Sequence, residues 1–330
     1  MASLPALGRF VSQDISQGTL SVQIRPIPTP NFEADEHLVR VHATAFCAGE
    51  LNWHIFVETP IQEYIPGPDI AGIVVAAPPS SSFKAGDEVF ARIPYPRQGG
   101  SGDYTLATSS ELAYKPRNLS WEEAATVPLS ALTAWQTLFD QPGLFTGPED
   151  ENVRDKRLVV TAASGSVGIW IIQLARLAGF KQIVGTCGQE NEEWVRSLGA
   201  TDVLNYRKTS LSDWIREGQG EDRKADLVID CFGGTSLTDA WGCVKDGGVL
   251  LSICAPPESA RPAGCTAAGV KNFFFIMTPR GDQLQQVTKL LEQKKCVAFL
   301  DSIFEFQDYQ QALDKVAGRH AKGKVVLKVA

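Results

Sequence analysis

A chain of 330 residues, 44% of them apolar, is long enough for two packed cores, so two domains are expected. Its 38 acidic and 31 basic residues give a net charge of −7 and no basic cluster, which argues against nucleic acid as a partner. No stretch approaches the roughly eighteen apolar residues of a membrane span, and "MASLPALGRFVSQD" lacks the basic start and apolar run of a secretory signal, so no membrane association and a cytoplasmic location are expected. Seven cysteines, at 47, 187, 231, 243, 254, 265 and 296, show no close pair at metal spacing and read as reduced, buried small residues.

Up to about residue 125, short alternating or β-branched runs are broken by turn residues: "HLVRVHATAF", "IAGIVVAAP", "GDEVFARIP", "YTLATSSELAYKP". That texture predicts an antiparallel, barrel-like β domain. Beyond it strands alternate with helices. "RLVVTAA" leads into "SVGIWIIQLARLAG", "QIVGTCG" into "NEEWVRSLGA", "DVLNY" into "SLSDWIREG" and "ADLVIDCFG" into "TSLTDAWGCV", and "GGVLLSICAPP" closes the series. Such β-α-β repetition predicts a parallel sheet covered by helices on both faces. "QLQQVTKLLEQKK" and "YQQALDKVAG" read as amphipathic helices, and the final "KGKVVLKVA" as a strand returning to the first domain.

The join between the first of these strands and its helix, "VVTAASGSVGIWIIQLARLAG", has almost no side chains. Gly165 and Gly168, with Ala162, Ala163, Ser164 and Ser166 around them, let the backbone turn tightly and bring amide groups close to a ligand. The helix that follows points its positive end at the same gap, which suits a pyrophosphate. The spacing is A-x-x-G-x-x-G rather than the three-glycine fingerprint, so small residues packing helix on strand would explain it too; the ordered β-α units that follow favour dinucleotide binding.

The second strand bears on which dinucleotide. An acid at its end would bind the ribose 2′-hydroxyl of NADH, but Thr186, Cys187 and Gly188 stand there. NADPH is therefore favoured, with NADH kept open. Glu190, two residues on, is either a solvent-facing helix-start acid or a weakening of that argument. Tyr206 and Arg207 lie beside the adenosine end or, equally, are a core tyrosine with a solvated basic neighbour.

At this point the chain resembles the medium-chain dehydrogenase/reductase superfamily, in particular its zinc-free quinone oxidoreductase and enoyl reductase branch. The resemblance runs nearly end to end, through "IPGPDIAGIV", "FKAGDEVFA", "AATVPLSALTAWQTL", "AASGSVG", "RSLGATDVLNY", "DLVIDCFGG" and "GKVVLKV". It implies an α/β protein: a GroES-like β-barrel catalytic domain over residues 1–127, completed by 271–330, and a Rossmann doubly wound parallel sheet over 128–270, with the active site in the cleft between them.

Zinc divides the branches of this superfamily. Cys47, in "ATAFCAGEL", matches the position of one ligand of the zinc-dependent alcohol dehydrogenases. Pro68 stands where their histidine is expected, and "TVPLSALTAW" offers no third ligand. A catalytic zinc needs three protein ligands, so no zinc is expected and Cys47 reads as a small residue lining the cleft. His37, His42, His54 and His320 form no spaced cluster.

Without a Lewis acid the feasible chemistry is hydride transfer to an already activated carbon, that of an enone, enal, enoyl group or quinone. The resemblance places Thr133 beside the nicotinamide, and Asn52 and Glu50 at the substrate; Asn52 replaces a frequent tyrosine, and Glu50 reads equally as a structural acid paired with a buried base. Trp53, Tyr64 and Tyr95 read as apolar walls or as plain packing. For the cofactor it carries over Ser164, Gly165, Ser166 and Val167 at the pyrophosphate, Gly188 and Tyr206 at the adenosine, and Cys231, Phe232, Ile253, Cys254, Phe274 and Phe275 along the remaining path. The phenylalanines read equally as interdomain core; Lys324 reads first as a solvated strand-end lysine and otherwise as one that reaches a phosphate or carboxyl group. A trans-acting enoyl reductase of a biosynthetic pathway and a non-enzymatic cofactor-binding structural or RNA-associated protein remain as alternatives. A homodimer joined at the Rossmann sheet edge is one expectation, with "GGVLLSIC" apolar enough to serve, though that strand reads equally as a plain core element.

Overall fold

The computed structural model describes residues 4–56, 61–140, 145, 147–218, 223–319 and 321–330; His320 lies outside them. The chain forms two compact units, residues 1–132 with 278–330 and residues 133–277.

The first unit is built on a seven-stranded sheet in the order Leu300–Glu305, Lys324–Lys328, Glu36–Ala45, Asp69–Ala76, Glu88–Arg92, Leu112–Tyr114, with Tyr104–Thr108 also paired to Glu36–Ala45. The expected C-terminal strand does return here: Val326–Lys328 pairs antiparallel with Ala43–Ala45. A second sheet joins Thr19–Pro26, Leu7–Asp14 and Glu63–Tyr64. Glu36–Ala45 and its neighbours contribute Val39, Ile70, Val74, Val89 and Ala91 to one core and Val41, Phe46, Val325 and Leu327 to another. A complete capping box, Ser120 with Glu123, starts the short helix Trp121–Ala125, and Pro128 opens the helix Pro128–Phe139.

The second unit carries six strands, all parallel, in the order Asp202–Asn205, Gln182–Cys187, Arg157–Val160, Ala225–Asp230, Val244–Ser252, Lys271–Phe274. This is the doubly wound order in which the chain starts at the centre, runs to one edge, and returns to fill the other. Near-continuous apolar runs such as Leu158–Val160 and Leu227–Ile229 are what a strand covered on both faces requires. One expectation changes and one open alternative is decided. Lys271–Phe274 pairs with Val249–Ser252 and so belongs to this sheet rather than to the first unit. Val244–Ser252 is interior, flanked on both sides, so "GGVLLSIC" is a core strand and the edge at that end is Lys271–Phe274. No helix among the described residues is long and apolar enough to cross a membrane.

Candidate functional site

In an open parallel sheet, ligands bind outside the carboxyl ends of the strands, where the order reverses. Here that point lies between Gln182–Cys187, Arg157–Val160 and Ala225–Asp230, and the glycine turn fills it. The turn is tied to its neighbour: Ala163 N–H donates to the Thr186 carbonyl at 2.8 Å and Ala162 N–H to the Thr186 hydroxyl at 3.2 Å. Ala162 sits in the left-handed region at φ 48°. A Cβ on Gly168 would lie 2.4 Å from the Ala162 carbonyl oxygen, so only glycine allows this close approach. A Cβ on Gly165 would touch only that same oxygen, at 3.1 Å, and Ala162 Cβ at 4.0 Å, and would otherwise project into open space. The helix Gly168–Ala178 starts at Val167 with no side-chain cap. A cradle one methyl group would obstruct, at the uncapped end of an eleven-residue helix, fits a diphosphate.

The other expected cofactor residues also lie at carboxyl ends of these strands. Gly188 follows Cys187, and Tyr206 N–H donates to the Cys187 carbonyl. Tyr206 is 56% exposed, which rules out the core-tyrosine reading. Cys231, Phe232, Ile253, Cys254 and Phe275 follow their strands, and Phe274 ends its own. The residue that holds them together was not singled out from sequence. The buried Asp230 carboxylate accepts from the Thr161 hydroxyl (2.7 Å), the Gly233 N–H (2.8 Å) and the Ser252 hydroxyl (3.0 Å). The Thr161 hydroxyl in turn accepts from the Cys231 N–H, and Ser252 from the Cys254 N–H. An acid ending the apolar run "DLVID" is the signal that marked it.

Glu190 takes a position the strand end only hinted at. A Cβ on Gly188 would lie 2.6 Å from its carboxylate, so the side chain folds back over the end of Gln182–Cys187. Arg207, stacked on the Tyr206 ring at 5.4 Å, holds that carboxylate at 3.1 Å. The Asn191 amide reaches Ser164 at 3.4 Å, linking this loop to the glycine turn.

The residues expected at the substrate lie in the first unit, and Cys47, Glu50 and Tyr64 border a buried charge cluster. Glu50 is 1% exposed and accepts from Gly67 N–H (2.9 Å) and Cys47 N–H (3.1 Å). Burial outweighs those bonds and pushes its carboxyl up to about 7. Its two oxygens each accept from a backbone amide, and no base pairs with it directly among the described residues. Asp69 accepts from Leu129 N–H at 2.7 Å and pairs with Lys324 at 3.0 Å. Lys324 is thus buried and paired, not solvated as expected; burial works to lower its ammonium, but Asp69 and Cys47 outweigh that and hold it above the usual lysine range. Burial also pushes the Cys47 thiol up.

Trp53, Tyr64 and Tyr95 are brought together: Tyr95 meets Tyr64 edge-on at 4.9 Å between centroids and Trp53 at 5.9 Å. Asn52 is exposed on the turn Glu50–Phe56, and Thr133 is buried on Pro128–Phe139.

Zinc does not fit this donor set. Among the described residues no group of three His, Cys, Asp or Glu side chains can hold a metal. Both carboxylates near Cys47 already bind backbone amides, and an ammonium stands against Asp69.

Comparison with known proteins follows this geometry. Residues 33–133 match the alcohol dehydrogenase GroES-like domain and residues 198–327 the zinc-binding dehydrogenase family. An Arthroderma benhamiae protein named "Probable zinc-binding oxidoreductase, mitochondrial" is 62% identical over 100% of this chain and 99% of its own. The chain belongs to the medium-chain dehydrogenase/reductase superfamily. Within this superfamily, the Danio rerio "NAD(P)H oxidoreductase RTN4IP1, mitochondrial" is 29% identical over 80% of this chain and 72% of its own. The quinone oxidoreductase structure from Coxiella burnetii matches the fold with a TM-score of 0.79 at 22% identity, over 98% of this chain and 100% of that one. The medium-chain dehydrogenase/reductase fold, a GroES-like domain with a Rossmann sheet, and an oxidoreductase activity are therefore established.

Proposed function

We propose that this protein is a reductase that delivers hydride from NADPH to an activated carbon, that of an α,β-unsaturated carbonyl or a quinone, without a metal. The turn Ala162–Gly168 carries the reading, because its missing side chains and uncapped helix end match a dinucleotide diphosphate and little else. The cofactor supplies the hydride. The chain's part is to hold and orient: the turn amides bind the diphosphate, Asp230 fixes the strand ends that the dinucleotide crosses, and Arg207 offers a guanidinium to the 2′-phosphate. Thr133 and Asn52 place hydrogen-bonding groups for nicotinamide and substrate oxygen. With the acids near Cys47 engaged by protein hydrogens, no Lewis acid polarises an alcohol or ketone there, so the acceptor brings its own activation.

The test measures NADPH and NADH oxidation against a panel of enones, enals and quinones, with elemental analysis for zinc on the same sample before and after chelation. The reading expects turnover that chelation leaves unchanged. Stoichiometric zinc whose removal abolishes turnover, or no oxidation with any acceptor, overturns it.

A further inference from the structure

The aromatic group of the first unit contains a cation that, among the described residues, no side chain bonds directly. Arg92 ends the strand Glu88–Arg92 and is 8% exposed, yet its guanidinium makes no hydrogen bond and no ion pair among the described residues. It stands over the Trp53 ring, 5.8 Å from its centroid. Every acid that faces it is committed elsewhere. Asp69 lies directly opposite in the strand register but pairs with Lys324, Glu111 pairs with Arg97 at 2.6 Å, and Glu50 binds two backbone amides. Beside the same tryptophan, the Tyr95 hydroxyl is buried and has no hydrogen-bond partner.

A buried, unpaired cation costs several kcal/mol, and a buried unsatisfied hydroxyl adds to that cost. Proteins retain such groups where a ligand completes them. Burial draws the Arg92 guanidinium below the usual arginine range, with Asp69 across the sheet only partly offsetting it, yet arginine stays charged at neutral pH, so what it lacks is an anion in direct contact. The planar fork matches a carboxylate bidentately, Tyr95 can donate a further hydrogen bond, and Trp53, Tyr64 and Tyr95 supply flat apolar walls for the carbon chain next to it.

We infer that Arg92 and Tyr95 form the anchoring site for an acidic acceptor, an unsaturated carbonyl compound bearing a carboxylate. This rests on the reductase reading for the word acceptor, but the site itself is defined by Arg92, Tyr95 and Trp53 alone. Arg92 is a specificity-determining residue, and the neighbouring Asp69 carboxylate makes its ion pair with Lys324.

The test uses trans-4-oxo-2-nonenoic acid and its methyl ester as probes, with the full chain. Calorimetric titration is expected to show the acid binding at least tenfold more tightly than the ester. R92M is expected to remove that difference, and R92K to keep part of it by charge while losing the fork. Y95F is expected to weaken the acid a few-fold. A second readout separates ligand binding from a structural role: R92M is expected to raise the denaturation midpoint, since it removes an uncompensated charge, whereas an arginine that holds the fold together would lower it on removal. Equal binding of acid and ester, or an R92M variant that loses stability, overturns the inference. Binding of the acid with no cofactor oxidation by either probe or by the enone panel overturns the reductase reading and leaves the site standing.

Discussion

Lys324 Nζ lies 3.0 Å from Asp69 Oδ2, with the two side chains 4% and 0% exposed. The pair ties the C-terminal strand Lys324–Lys328 to the strand Asp69–Ala76, and through the second oxygen of Asp69 to Leu129 N–H at the start of the helix Pro128–Phe139. K324M leaves the carboxylate buried without its ion-pair partner, with only the Arg92 charge across the sheet to oppose it, and losing one partner of a buried pair costs about 3–5 kcal/mol in other proteins. Chemical denaturation is expected to show a loss of that order. The double variant D69N/K324M, which removes both charges, is expected to recover a substantial part of it; a double variant no better than K324M contradicts an electrostatic origin.

The two glycines of the turn separate binding from stability. A methyl at Gly168 would press into backbone at 2.4 and 2.7 Å, so G168A is expected to lower the unfolding midpoint by several degrees, as strain of about 1–3 kcal/mol does. A methyl at Gly165 meets mostly open space, so G165A is expected to fold with near-native stability and bind NADPH and NADH on the order of tenfold more weakly, because the methyl takes the place of the diphosphate. Fluorescence titration beside thermal unfolding reads both. Undiminished affinity in G165A places the diphosphate somewhere other than this turn.

What could be read from sequence follows from how local each signal is. The turn at Ala162–Gly168 is written in consecutive residues, because side-chain volume alone decides whether a backbone approaches that closely. The order of the Rossmann strands was legible for a similar reason: each strand announces itself by a short apolar run and each crossover by a helix. Lys324 was misread because its partner, Asp69, lies far off in the chain and meets it only when the last strand joins the sheet. Arg92 gave a faint signal, one charge at the end of an apolar strand, but that its neighbours are all engaged elsewhere is visible only in three dimensions. The interior position of Val244–Ser252 depends on Lys271–Phe274 adding to the same sheet, and a four-residue strand has too little periodicity to declare which sheet it joins.

Glu50 should leave a mark on the pH dependence of stability. Its carboxyl moves from an ordinary 4.5 up to about 7 in the folded chain, with burial as the main cause. Below 4.5 the group is protonated in both states and contributes nothing. Between 4.5 and about 7 the folded state holds a proton that the unfolded state has lost, so stability falls as pH rises, and above about 7 the penalty is complete. That displacement corresponds to on the order of 3 kcal/mol. E50Q cannot ionise. The stability of the native chain relative to E50Q is therefore expected to decline by about that amount from pH 5 to pH 8, measured by urea denaturation at each pH. A constant difference across the range, or one that grows with pH, contradicts a raised Glu50.

Glu190 and Arg207 set opposite terms for the adenosine ribose. The guanidinium favours a 2′-phosphate, while the carboxylate folded over Gly188 repels it and accepts from a free 2′-hydroxyl. Removing the acid frees Arg207 for the phosphate and takes away the repulsion, so E190Q is expected to bind NADPH on the order of tenfold more tightly relative to NADH than the native chain does. R207A removes the favourable partner while keeping the acid, and is expected to shift the ratio the other way. Isolating the adenosine end makes the comparison cleaner: 2′,5′-ADP and 5′-AMP, titrated separately, should show the same two shifts with no contribution from the nicotinamide. Were both variants to leave the ratio where it was, the 2′ position of the ribose would have to be read by residues other than this pair, and the loop Gly188–Asn191 would be only a connection between strand and helix.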